Sequence, residues 1–179
     1  DYNEGLMGQD PTCMISSRVV VASGVLLKAD QGPEVTFITG ADATINPVKG
    51  TYAGCGTNAV RCVYLSSNSR IQGFTVRHGR FRGDSPDSDE TRSGGICGKN
   101  VDSCIAQDCI ITDCMGWRGG ALFGTTAVRC RIFDCTAADG SAGKIVYMYG
   151  CVIGAVNNGV SNPKILSNCT FLPECKSPL

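Results

Sequence analysis

The chain has 179 residues, with 16 basic side chains against 16 acidic ones and a formal net charge of zero. That length carries one domain with its own core, and the charge balance excludes a polyanion-binding face, so nucleic acid is not expected as a partner. No apolar run approaches the ~20 residues a membrane helix needs, and no charged segment leading into an apolar one marks a signal peptide.

Taken in chain order, residues 1–17 carry Gly5, Gly8, Pro11 and Cys13 and read as an irregular lead-in or cap. The chain starts at Asp1, which fits a processed or excised segment. Two β-rich runs follow, Val19-Val20-Val21 and Val35-Thr36-Phe37-Ile38. Residues 47–58 form a loop holding Cys55, and residues 60–76 return to strand. Residues 80–92 are a polar insertion, and regular strand segments run on to Phe171. Pro173 and Pro178 then end the pattern, leaving 173–179 as a tail and 18–172 as the domain.

Cysteine is abundant, with 12 residues, and glycine numbers 23. An even cysteine count suits disulfides, and disulfides suit an oxidising setting, secreted or at the cell surface. Zinc is a poor fit, because the chain has one histidine, His78, and no pair of cysteines spaced C-x2-C.

The cysteines also set a register. Asp108-Cys109-Ile110-Ile111-Thr112-Asp113-Cys114 aligns with Arg129-Cys130-Arg131-Ile132-Phe133-Asp134-Cys135 at an offset of 21. A further 21 residues lead to Cys151-Val152-Ile153, and 18 more to Cys169-Thr170-Phe171. Phe74-Thr75-Val76 fits the same frame with Phe in the Cys place. A Gly-Gly mark runs alongside, at Gly94-Gly95 and Gly119-Gly120, and reads as tight corners that need positive φ. Such a period predicts a solenoid of short strands.

Alternation predicts which side chains face in. Phe74, Cys109, Cys130, Cys151 and Cys169 form one inward ladder, with Val76, Ile111, Ile132, Ile153 and Phe171 beside it. Axial disulfides along this ladder are sterically possible, although a parallel register does not favour the ideal geometry, and reduced these cysteines serve as small core residues. Cys114 and Cys135 form a second column suited to an inter-coil disulfide, since coils stack about 4.8 Å apart. Cys13, Cys55, Cys62, Cys97, Cys104 and Cys175 read as staples for loops and ends.

The segments Cys62-Val63-Tyr64-Leu65, Ile71-Gln72-Gly73-Phe74-Thr75-Val76, Ser93-Gly94-Gly95-Ile96 and the repeated Cys-x-Ile coils resemble bacterial secreted right-handed parallel β-helix repeat proteins. The wider likeness is to the pectate-lyase-like superfold, with a similarity to the repeats of polymorphic outer-membrane adhesins. The resemblance implies an all-β, single-stranded right-handed parallel β-helix of about 6–8 coils. It is specific for fold and silent on activity, because one superfold hosts many functions.

Chemistry is sparse in this frame. A pectin hydrolase of this fold needs converging carboxylates, and the nearest fragment here is Arg77-His78-Gly79-Arg80, without its acidic partners upstream. His78 therefore reads as a turn residue, and no catalytic residue is assigned. Asp84, Asp87, Asp89 and Glu90 offer oxygen ligands for Ca²⁺ but miss the spaced pattern of a calcium loop, and no other cofactor is expected. Asp113 and Asp134 would stack as like charges on neighbouring coils, with Arg129 and Arg131 near enough in sequence to neutralise them. Trp117, Tyr147 and Tyr149 are the candidate aromatic platform for a glycan.

Together these features point to a non-enzymatic secreted or cell-surface β-helix with a structural, adhesive or self-assembling role. Its partners would be other copies, through open solenoid ends, and a glycan. The alternatives are a fragment of a polysaccharide lyase or glycoside hydrolase, and a glycan-binding module without chemistry.

Overall fold

A computed structural model describes residues 8–10, 13–82 and 89–174. Among the described residues the chain is all-β apart from two single-turn 3-10 helices, Gly50–Tyr52 and Asp89–Thr91. The first strands are β1 (Gly8–Asp10), β2 (Cys13–Val21), β3 (Leu26–Lys28) and β4 (Phe37–Thr39). Then come β5 (Arg61–Leu65), β6 (Arg70–Gln72) and β7 (Thr75–Arg77), followed by β8 (Ile96–Gly98), β9 (Ile105–Gln107), β10 (Ile110–Thr112) and β11 (Met115–Arg118). The next passage is β12 (Leu122–Phe123), β13 (Thr126–Val128), β14 (Arg131–Phe133) and β15 (Thr136–Asp139). The last strands are β16 (Gly143–Lys144), β17 (Tyr147–Tyr149), β18 (Val152–Ile153), β19 (Val160–Ser161), β20 (Ile165–Ser167) and β21 (Thr170–Phe171).

These strands sort into three long sheets that the chain visits in the same order at every passage. The first sheet runs β1-β2-β5-β8-β12-β16-β19, the second β3-β6-β9-β13-β17-β20, and the third β4-β7-β10-β14-β18-β21. β11 and β15 form a short fourth sheet. Every strand pair is parallel except β1 with β2. Parallel strands in stacked sheets are what a parallel β-helix requires, because each short strand has its partner one passage away in sequence.

The 21-residue register is visible in the pairing. Ile110 lies beside Arg131, Ile111 beside Ile132, and Thr112 beside Phe133. Side-chain alternation then sends Ile111, Ile132, Ile153 and Val76 inward, each fully buried. Phe74, Cys109, Cys130 and Cys151 are buried in the same core cluster, with Cys169 and Phe171 half-buried against it. Along this column Arg131, Val152 and Thr170 donate their amides to the carbonyls of Cys109, Cys130 and Cys151.

The corners match the expected chemistry only in part. Gly119 has positive φ (69°), but Gly94 and Gly95 do not. They are glycine because neighbouring backbones leave no room: a Cβ on Gly94 would lie 2.2 Å from the Met115 carbonyl, and one on Gly95 2.3 Å from that of Ala121. Positive φ also falls on polar residues at single-residue corners. Asp108 (52°), Arg129 (50°) and Asn168 (52°) occupy one column, and His78 (56°), Asp113 (48°) and Asp134 (51°) another. Asp, Asn and His are the side chains found most often in this region, whereas Arg129 carries strain that the stacked strands impose.

All ten cysteines with described side chains are free thiols, where the cysteine count pointed to disulfides. Cys175 and the side chain of Cys13 lie outside the described residues. Cys62 sits on β5 and Cys97 on β8, both inside the sheet stack, so neither staples a loop. Cys97 packs with Tyr64 and Phe123, and the Cys104 thiol donates to the Leu65 and Ser66 carbonyls at 3.3 Å. Cys55, although in a loop, is fully buried. These thiols are filling space as apolar groups do.

Candidate functional site

The register that builds the sheets also builds a polar cluster on the corner after the third sheet. Arg77 lies beside Thr112, so the residues that follow them, His78 and Asp113, are also neighbours. Both take left-handed corners. The imidazole Nδ1 of His78 lies 2.7 Å from Asp113 Oδ2, and its Nε2 lies 3.1 Å from Asp42 Oδ1. One ring thus spans two carboxylates.

Arg80 completes the arrangement from beneath. Its Nε donates to Asp42 Oδ1 at 3.0 Å, and its Nη2 donates to Asp113 Oδ1 at 3.0 Å. Nη1 donates to the Asp113 carbonyl at 2.5 Å, and Nη2 also lies 3.0 Å from His78 Nδ1. The Arg80 side chain is 5% exposed, whereas Asp42 and Asp113 are 53% and 47% exposed. A buried guanidinium therefore fixes two half-exposed carboxylates, the paired arrangement that a buried charge needs.

An aromatic flank adjoins the cluster. The 47–58 loop is pinned by Asn58, whose Oδ1 accepts from the amides of Thr44 and Ile45, both at 2.9 Å. It carries Tyr52, whose ring lies 5.5 Å from that of Trp117 and 5.7 Å from that of Phe81. Trp117 reaches this position because β11 starts beside the cluster, with the Met115 amide on the Gly79 carbonyl at 2.8 Å. Cys55 lies between the two groups, and burial pushes its thiol up to about 11, so it remains a thiol at neutral pH. Burial also raises Tyr52.

The residues expected from sequence are distributed as follows. Trp117 lies on the short fourth sheet and partners Tyr52, whereas Tyr147 and Tyr149 flank the buried Met148 on β17 in the second sheet. The three do not form one platform. The Asp102 carboxylate beside Tyr147 holds its pKa above the ordinary value. Of the expected acidic loop, Asp84 and Asp87 lie outside the described residues. Asp89 pairs with Arg92 at 2.5 Å, and the Glu90 carbonyl accepts from the buried Arg61 at 3.0 Å. Among the described residues no group of three His, Cys, Asp or Glu side chains is arranged to hold a metal.

Arg129 and Arg131 do not neutralise the Asp113–Asp134 stack. Arg129 pairs with Asp108 one coil away, at 2.7 Å from Nε, and Arg131 pairs with Glu34. Asp113 is neutralised by Arg80 instead, with the His78 ring in contact. Asp134 lines a separate cleft of about 420 Å³ with Cys135, Thr136, Val156, Asn157 and Glu174. Sequence reasoning missed Asp42, Arg80 and Tyr52. A pointer did exist for His78 and Asp113, which hold the same place after a Thr-x-Arg or Ile-x-Thr strand.

No protein-family model, no curated protein and no solved structure matches this chain. Among the described residues, no helix is long and apolar enough to cross a membrane.

Proposed function

We propose that the chain is a right-handed parallel β-helix of six coils, of a secreted or cell-surface kind, with a structural and adhesive role. In this reading its adhesive contact is a glycan-binding site at Asp42, His78 and Asp113, flanked by Trp117 and Tyr52. The observation that carries it is the pair of half-exposed carboxylates held on one imidazole beside the tilted ring pair of Tyr52 and Trp117. Carboxylates present lone pairs to sugar hydroxyls, and a flat ring offers a face to the apolar side of a sugar.

Binding without turnover is the better reading of these groups. Each carboxylate already accepts from Arg80 and contacts His78. A general acid must deliver a proton to the leaving group and a base must be free to take one, and these carboxylates are committed to their neighbours. Glycoside hydrolysis stays as the second reading, on the two carboxylates that share the exposed edge.

Binding to a panel of neutral, acidic and amino-sugar polysaccharides, with product analysis by chromatography, tests both. Retention on a glycan that is lost in Trp117→Ala and in Asp113→Asn, with no product, supports the proposal. Released oligosaccharide that disappears in Asp113→Asn establishes hydrolysis instead. No retention on any glycan overturns both.

A further inference from the structure

We propose that the Cys109, Cys130, Cys151 and Cys169 column is an oxidation site that a small disulfide loads from its Cys169 end. The column is built by strand register. Ile110 pairs with Arg131, Arg131 with Val152, and Val152 with Thr170, so the cysteine before each of them lies against the next. Side-chain contacts link Cys109 to Cys130, Cys130 to Cys151, and Cys151 to Cys169. In-register neighbours on adjacent strands stand about 4.8 Å apart at Cα, inside the ~4.4–6.8 Å range a disulfide spans.

The column has one closed end and one accessible end. Phe74 occupies the next place beyond Cys109, since Thr75 pairs with Ile110. Cys109, Cys130 and Cys151 are at most 1% exposed, whereas Cys169 is half-buried at the outer strand β21. A reagent in solution therefore reaches Cys169 first. Cys151, next inside, is drawn down to about 7, chiefly by its contact with Cys130, which supplies thiolate at neutral pH.

The chemistry balances step by step. Burial raises the Cys169 thiol above its ordinary value, so its minor ionised fraction attacks a small disulfide, forms a mixed disulfide and releases one thiolate of the reagent. Cys151 then attacks the Cys169 sulfur, forming Cys151–Cys169 and releasing the second. Two protein thiols have lost two electrons and two protons, and the reagent has become two thiols. Cys130 next attacks the Cys151 sulfur, and the freed Cys169 thiolate takes up the proton that Cys130 gave up. Cys109 attacks Cys130 in the same way and frees Cys151. The bond has then moved to Cys109–Cys130, and the outer pair can take a second equivalent. Four thiols end as two disulfides. The second thiol column, Cys62, Cys114 and Cys135, is buried along its whole length and has no such accessible member.

The test is titration of the folded protein with dipyridyl disulfide, followed by alkylation and non-reducing peptide mapping. One equivalent is expected to give Cys151–Cys169 and its inward products, and two equivalents Cys109–Cys130 with Cys151–Cys169. In Cys169→Ser, formation of Cys109–Cys130 is expected to slow by at least about tenfold, with Cys62, Cys114 and Cys135 reduced in both proteins. Circular dichroism on Cys169→Ser confirms that this half-buried position tolerates the change. Cys109–Cys130 forming at the wild-type rate in Cys169→Ser, or a Cys169 mixed disulfide that never resolves in the wild type, overturns the proposal.

Discussion

His78 and Asp113, 35 residues apart in sequence, meet at 2.7 Å because each ends the same strand position on adjacent coils. The contact belongs to a four-residue unit whose only deeply buried member is Arg80. The stability of this corner therefore depends on Arg80 keeping both carboxylates. Asp113→Ala removes one of them and leaves Asp42, so a loss of about 1–2 kcal/mol is expected, below the ~3–5 kcal/mol of a fully buried pair. Asp42→Ala with Asp113→Ala should exceed the sum of the single losses, because the guanidinium is then left buried and unpaired. Urea unfolding of the three variants measures this. Strict additivity would mean that Arg80 does not couple the two acids.

Asp108 sets a pH dependence whose sign follows from its partner. The Arg129 guanidinium holds the Asp108 carboxyl below the ordinary value, with Gln107 and Gln72 assisting and burial opposing. A lowered folded value means that the contribution is present above the unfolded carboxylate value of about 4 and is lost as pH falls through the folded one. Asp108→Asn should therefore melt below the wild type at pH 6 and alongside it near pH ~2. The gap should also shrink in high salt, since Arg129 is exposed. A gap that persists unchanged at acid pH would mean that the charge pair with Arg129 is not its source.

How far the residues announced this structure depends on the passage. Cys109 to Cys114 and Cys130 to Cys135 repeat at one offset because β10 and β14 belong to consecutive coils of equal length. The ladder from Phe74 to Cys169 was readable for the same reason. Asp42 and Tyr52 were not, because the 47–58 loop lengthens the path between β4 and β5 and erases any fixed offset to His78. The disulfides inferred from cysteine count are absent among the described cysteines for a different reason: count reports composition, whereas burial decides whether a thiol serves as core. Arg80 was taken with the polar insertion because charge in a Gly- and Asp-rich run reads as solvated, yet its side chain is nearly enclosed.

The Gly-Gly marks make a sharp comparison between crowding and conformation. Gly94 has ordinary φ, and backbone atoms of Met115 and Gly79 stand within 2.4 Å of the place a methyl group would take. Gly24 has φ +76° and open space around the same position. Gly94→Ala must push two strands apart and should cost about 3–5 kcal/mol, among the largest single-site effects. Gly24→Ala meets only the left-handed penalty of about 1–2 kcal/mol. Similar losses at both sites, read from urea midpoints, would remove close backbone approach as the reason for the Gly-Gly mark.

The first coil offers a surface on which self-association can be tested. β3 and β4 are outer strands of the second and third sheets, and Leu26 and Phe37 on them are 51% and 48% exposed. Val25, Val35 and Ile45 add to the apolar surface nearby. At the other end β20 and β21 are again outer strands, with Ile165 47% exposed. The first sheet differs, because antiparallel β1 covers the outer edge of β2. Unpaired outer strands invite pairing with another chain, and charge on them suppresses it. Head-to-tail joining of unlike ends does not close on itself, so the expected products grow with concentration rather than stop at a dimer. Leu26→Lys combined with Phe37→Lys should return the protein to monomer in sedimentation velocity, with folding checked by circular dichroism. A wild type that sediments as a monomer at high concentration would rule out assembly through these outer strands.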